Sequence, residues 1–175
     1  HTYSRPLISY LLWGKTDRQR MKYRPDSFYE DNKVDTLFGV KATALHPEEH
    51  TLELDNGETV TYGKLLLATG SRPFIPPMEG LDQVEKKFTF MTLNDALALE
   101  EAITPDSKVL IVGAGLIGLK CAEGIFEKVA SLTVVDLANR ILPSILDEEG
   151  SKLVQEYIEK KGVKFYLSDS VAKFE

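Results

Sequence analysis

One cysteine, Cys121, stands in 175 residues. It has no partner for an intrachain disulfide and no second sulfur for a metal site, so a reducing, cytoplasmic setting is expected. No apolar run approaches the ~20 residues of a membrane-spanning helix. Positive charge is also in deficit: 21 Lys and Arg face 27 Asp and Glu, for a net charge of −6. The basic residues read as scattered rather than clustered, so neither nucleic acid nor an anionic membrane is expected as a main partner. Internal repeats and low-complexity segments are missing. No secretory leader is visible at His1, and the chain reads as beginning in mid-domain. What remains is the composition of an ordinary globular protein, 43% hydrophobic and 27% charged.

Against that background one stretch is specific. Lys108-Val-Leu-Ile-Val-Gly-Ala-Gly-Leu-Ile-Gly118 is followed by a helix-like run and then by Leu132-Thr-Val-Val-Asp136. The order is strand, glycine turn, helix, strand, with an acid at the second strand's end, at about the ~20-residue offset of a dinucleotide fingerprint. Gly113 permits the tight turn, Gly115 lets backbone approach a pyrophosphate, and Gly118 lets helix pack close to strand. The helix N-terminus offers N–H groups and positive dipole to phosphates. Asp136 is placed to accept hydrogen bonds from a ribose 2′-hydroxyl and to repel a 2′-phosphate. The bland alternative is a βαβ unit without a ligand.

Elsewhere the pattern predicts a short helix over Ser4–Trp13 stopped by Gly14, a helical turn at Pro25–Glu30, and strands at Val34–Phe38 and Lys41–Leu45. Strands at Thr51–Leu54 and Thr59–Tyr62 flank Asp55-Asn-Gly57, a strong hairpin signal. Lys64–Thr69 reads as a short buried strand. Ser71–Gly80, rich in proline and glycine, reads as an extended loop. An amphipathic helix spans Leu93–Ala102, capped by Thr92 or Asn94. Beyond the loop Ala138–Ile145, a helix over Asp147–Lys161 has acids early and lysines late, suiting its dipole. Gly162 ends it, and Val163–Leu167 is a further strand. The β-rich first part and the parallel βαβ part both read as incomplete, since a parallel sheet needs more strands to bury both faces.

The ordered set Tyr3-Ser-Arg-Pro-Leu-Ile-Ser9, Lys64-Leu-Leu-Leu-Ala-Thr-Gly-Ser-Arg-Pro73, Val109–Gly118 and Arg140-Ile-Leu-Pro143 resembles the flavin-dependent pyridine nucleotide–disulfide oxidoreductase superfamily. Within it, the look is of the NADH:rubredoxin reductase, ferredoxin-reductase-like and nitrite-reductase flavin-subunit branch. The resemblance implies an α/β fold: a partial FAD-binding domain over residues 1–88, a linker with a helix over 89–107, and a partial Rossmann-type NAD-binding domain over 108–175. It implies a middle fragment lacking the first FAD strand, the rest of each domain and a C-terminal interface domain through which a homodimer would form.

By the same resemblance Arg5 and Pro6 lie along the flavin. The backbone at Ala42 meets the adenine. Ala68, Thr69 and Gly70 pass near the FAD pyrophosphate and ribose, with Arg72 following. Gly113, Gly115, Ile117, Gly118 and Asp136 form the NAD site. Three departures matter. No redox cysteine stands near Thr2–Ser9, which disfavours disulfide chemistry, because that needs a thiolate. Tyr10 stands where many relatives have a Lys near the flavin edge. Lys120 stands where many have a Glu paired with that Lys. Tyr10 and Lys120 are therefore the candidate catalytic pair at the flavin edge. A cation early in a helix opposes the dipole by roughly 0.3–1 kcal/mol, a penalty reversed if it meets a cofactor anion.

Other signals are set aside. His46-Pro-Glu-Glu-His50 matches a zinc pattern that requires a helix, but here it joins two strands and contains Pro47, so no metal is expected. Cys121 reads as a packed residue of a helix face. Trp13, Tyr23, Phe28 and Tyr29 read as packing residues, and Asp147-Glu-Glu149 as helix N-terminal charge. The reading is an FAD-dependent oxidoreductase that takes hydride from NADH, in preference to NADPH, and passes electrons to an acceptor such as rubredoxin or a small molecule. The flavin carries the chemistry and the protein orients it. Arg140 tempers the preference, since an Arg can accommodate a 2′-phosphate. The rivals are an NADH oxidase or disulfide reductase of the same superfamily, and a non-catalytic dinucleotide-binding module. The chain alone is expected to be inactive.

Overall fold

The structure is a computed structural model, and it describes residues 2–175. In chain order the elements are a 3-10 turn at Arg5–Leu7, α1 (Ile8–Leu12), α2 (Phe28–Asp31), β1 (Ala42–His46), β2 (Thr51–Leu54), β3 (Thr59–Thr61), a 3-10 turn at Leu81–Gln83, α3 (Leu93–Ala102), β4 (Lys108–Val112), α4 (Leu116–Ile125), β5 (Ser131–Asp136), α5 (Glu148–Glu159) and β6 (Val163–Leu167). They form two compact units, residues 24–71 and residues 2–23 with 72–175. No helix of the described residues is long and apolar enough to cross a membrane.

The smaller unit is an antiparallel sheet in the order β1-β2-β3. Its β2–β3 turn is the one signalled by Asp55-Asn-Gly57. Gly57 takes φ +85, and Asn56 Oδ1 accepts from the Glu58 N–H at 3.0 Å. His46-Pro-Glu-Glu-His50 carries the β1–β2 turn over residues 47–50. Two expected strands do not form. Residues 34–38 are irregular, entered through Lys33 at φ +54, and Phe38 is exposed. Residues 64–69 form no strand, and Leu66 is 86% exposed rather than buried. Both segments have strand-like composition, but a strand also needs a neighbouring edge to bond to. Among the described residues neither has one.

The larger unit is built on a parallel sheet in the order β4-β5-β6, with α4 and α5 as the crossovers. Alternation along the strands sends Val109, Ile111, Leu132, Val134, Val163 and Phe165 into the packed core. Leu110, Val112 and Tyr166, on the other face, are exposed. Helix α3 starts at a reciprocal cap: Thr92 Oγ1 accepts from the Asp95 N–H, and Asp95 Oδ2 accepts from the Thr92 N–H. Burial works against the Asp95 charge. Hydrogen bonds from the Met91 and Thr92 N–H groups and from the Thr92 and Thr89 hydroxyls outweigh it and hold the carboxyl below its ordinary value. Thr92, rather than Asn94, is the cap. Helix α1 packs on α4 at Gly124, where a Cβ would come 3.0 Å from the Ser9 carbonyl oxygen and from Leu12 Cβ.

The β4–α4 turn is tightly packed. Gly113 takes φ +117, a conformation that L side chains rarely adopt. A Cβ at Gly118 would overlap the Gly113 carbonyl oxygen and approach Ile111 Cγ2 to 3.2 Å. Gly118→Ala should therefore destabilise the fold by about 1–3 kcal/mol, and thermal melting of the variant checks it. Cys121 sits on the buried side of α4, where burial pushes its thiol up to about 12. In the folded protein at pH 8 it should resist iodoacetamide, and denaturant should release it; mass spectrometry of the alkylated protein reads the difference.

Candidate functional site

The end of β4, the glycine turn and the end of β5 converge on one carboxylate. Asp136 closes β5, and its Oδ2 accepts from the Ala114 N–H in the turn at 2.6 Å. Its Oδ1 accepts from the Ala138 N–H at 2.7 Å. Ala114 is fully buried, and its carbonyl accepts from the Leu142 N–H at 3.0 Å. The Gly113 N–H donates to the Val135 carbonyl at 2.8 Å. The turn is thus held from β5 and from the loop beyond it. Gly115 is the N-cap of α4, no side chain caps that terminus, and a Cβ at Gly115 would meet open space. Ile117 is half exposed in the first turn.

These features fit a dinucleotide. An uncapped helix N-terminus suits a pyrophosphate, and space at Gly115 leaves room for its approach. Asp136 uses one acceptor site on each oxygen, and each oxygen can accept again, so a ribose hydroxyl can share the carboxylate. The sequence reading did not anticipate that Asp136 also fastens the turn. Beyond it, Asn139, Arg140, Glu148, Lys152 and Gln155 line a polar cavity of about 300 Å³. Arg140 donates to the Pro143 carbonyl at 3.4 Å, while its buried Nε has no partner among the described residues.

A second cluster lies between α1 and α4. The Lys120 ammonium sits over the Tyr10 ring, 4.4 Å from its centroid, and pairs with Glu123 Oε2. The two residues singled out from sequence therefore meet. Glu123 was missed; its signal was the spacing, three residues after Lys120 on one helix face. Both members of the ion pair are about one-third exposed. Trp13 continues the cluster and donates its indole N–H to Glu127 at 3.2 Å.

The other candidates are dispersed. Arg5 and Pro6 open the first 3-10 turn, and Arg5 Nε donates to the Met91 carbonyl at 3.1 Å. Arg72 is exposed in the extended loop of the larger unit. Ala42 begins β1 beside a register shift in the pairing with β2, and Ala68, Thr69 and Gly70 form the exposed end of the unpaired segment; these four belong to the smaller unit. His46 bonds Glu53 at 2.9 Å and His50 stacks on Tyr62. Among the described residues no group of three or more His, Cys, Asp or Glu could hold a metal ion.

The chain is 34% identical to the NADH-dependent phenylglyoxylate dehydrogenase subunit epsilon of Aromatoleum evansii, over 99% of this chain and 41% of that one. It is also 34% identical to the 3-phenylpropionate/cinnamic acid dioxygenase ferredoxin–NAD(+) reductase component of Photorhabdus laumondii, over 97% of this chain and 43% of that one. The crystal structure of the covalent putidaredoxin reductase–putidaredoxin complex superposes with a TM-score of 0.89 at 25% identity, covering 99% of this chain and 42% of that one. The chain thus spans about two fifths of the length of these relatives, and its mixed helix–strand architecture is that of the FAD/NAD(P)-binding oxidoreductases. A family model for pyridine nucleotide-disulphide oxidoreductases matches residues 1–175, and the chain belongs to that family.

Proposed function

We propose that this chain is part of a flavoprotein oxidoreductase that takes hydride from NADH onto FAD and hands electrons to an acceptor. The observation that carries the reading is the Asp136-fastened glycine turn beneath an uncapped helix. The relatives named for NADH dependence and for ferredoxin–NAD(+) reductase activity support it. Residues 1–88 then belong to the FAD-binding domain and 108–175 to the NAD-binding domain, joined through 89–107. With one cysteine, buried and protonated, no dithiol reaction is assigned to this chain. A cytoplasmic setting accords with that.

Each residue has a role that needs no nucleophile. The first N–H groups of α4 bind the pyrophosphate of NADH, and Gly115 leaves them accessible. Asp136 accepts from the adenosine ribose and disfavours a 2′-phosphate by repulsion. Arg5, Pro6, Ala42, the end segment 68–70 and Arg72 are assigned to FAD on family resemblance. Bound flavin supplies the hydride acceptor and the electron store. Tyr10 and Lys120 are assigned to its edge as one unit, a reading supported by the 4.4 Å approach of ammonium to ring. Glu123 holds Lys120 in place.

Anaerobic addition of NADH to the parent protein should bleach a flavin absorbance band, and NADPH should do so more slowly. A protein that stays colourless after incubation with FAD would leave a nucleotide-binding module instead. Lys120→Ala should slow flavin reduction or weaken NADH binding about two- to fivefold, the equivalent of the roughly 0.5–1 kcal/mol of a partly exposed cation–π contact. Stopped-flow reduction and NADH titration check this, and values unchanged in both would remove Tyr10 and Lys120 from the flavin edge.

A further inference from the structure

Four cations, Lys15, Arg18, Arg20 and Lys22, fall within eight consecutive residues against one acid, Asp17. The segment has a formal charge of +3 in a chain whose net charge is −6. The even scatter of basic residues expected from composition therefore fails at this one place.

The fold presents the segment as a pinned loop. Gly14, at φ +76, turns the chain out of α1. Met21 is buried at 1% exposure in the core of the larger unit, and its carbonyl accepts from the Ser4 N–H at 2.8 Å. Tyr3 and Lys22 form an antiparallel bridge. Within the loop, the Met21 N–H donates to the Asp17 carbonyl at 3.1 Å, and Asp17 Oδ1 accepts from the Arg20 N–H at 2.9 Å. Anchored in this way, the loop leaves Lys15, Arg18 and Arg20 exposed. Lys15 lies 5.0 Å from the centroid of the Trp13 ring, so an aromatic surface borders the charge.

We propose that the 15–22 loop, with Trp13 beside it, is the docking surface for a small acidic redox protein that receives the electrons. This inference rests on the electron-transfer reading above and names the class of its acceptor. A local positive patch on an otherwise acidic chain orients an acidic partner as it approaches and repels it elsewhere. Arg and Trp are the residue types that anchor protein interfaces. Among the described residues, Arg20 forms an ion pair with its loop neighbour Asp17 alone, and Arg18 forms none, so these two charges are available to a partner. A compact acidic protein meets the patch within the ~8 Å reach of charge at physiological salt.

The test uses the flavin-loaded parent protein with a plant-type [2Fe–2S] ferredoxin as the acidic probe and ferricyanide as a non-protein acceptor. In the Arg18→Glu/Arg20→Glu variant the KM for ferredoxin should rise ~tenfold and its dependence on salt should flatten, as expected when steering charges are reversed. Flavin bleaching by NADH, ferricyanide turnover and melting temperature should not change. Arg18→Gln/Arg20→Gln, which introduces no like-charge contact with Asp17, should fall between. The docking proposal is overturned if KM and salt dependence stay as in the wild type. It is also overturned if the wild type reduces ferricyanide but neither binds nor reduces ferredoxin, or if the loop charges govern binding to duplex DNA or phosphatidylserine vesicles and leave ferredoxin turnover untouched. Failure of NADH to bleach the flavin is a separate result and removes the underlying electron-transfer reading.

Discussion

The hydrogen bond from the Ala114 N–H to the Asp136 carboxylate, at 2.6 Å, ties the glycine turn to the end of the neighbouring strand. Hydrogen bonds to an ionised acceptor are shorter and stronger than neutral ones. This one sits where the chain has little room, since Gly113 is in left-handed space and Gly118 admits no Cβ. Fixing the turn fixes where α4 begins, and α4 in turn carries most of the larger unit's arrangement. Its buried face meets the sheet through Leu119, Ala122 and Ile125. Its Gly124 receives α1, and its Lys120 and Glu123 form the cluster with Tyr10.

The same constraint gives the proposed chemistry its shape. A coenzyme held at the start of α4 would meet N–H groups that are already in position and a carboxylate already oriented, so little ordering remains to be done on binding. Asp136 would then act twice, as the fastening of the turn and as the proposed acceptor for a ribose. Arg140 and Lys152, in the polar cavity beyond β5, are the cations that would counter the proposed preference against a 2′-phosphate. The basic loop at 15–22 adds a directional field on the same unit, anchored by Met21.

The parts that could be read from the sequence are those set by local physics. The glycine spacing at 113, 115 and 118 and the Asn56-Gly57 turn each depend on a few neighbouring residues, and each forms where the pattern places it; the cap of α3 forms at Thr92, one of the two residues the pattern offers. The failures depend on distant partners. Lys64–Thr69 has a strand's composition but, among the described residues, no neighbouring edge to complete it. The offset of Asp136 from the glycines points to a ribose acceptor, the role proposed for it, whereas its bond to Ala114 depends on how β4 and β5 register. Glu123 escaped notice because an acid three residues after a lysine is common on exposed helix faces. The basic loop escaped because whole-chain charge averages over it.

Replacing Asp136 by Asn, with melting followed in the absence of any nucleotide, reaches most directly the idea that one carboxylate fastens the site. The Asp136→Asn change keeps the size of the side chain but removes its charge and gives one of the two N–H groups a donor in place of an acceptor. A loss of about 1.5–3 kcal/mol is expected, the contribution of hydrogen bonds to a charged group, together with weaker NADH binding in the parent protein. An Asp136→Asn variant that melts with the wild type would contradict it, and would leave Asp136 only the ribose role proposed for it.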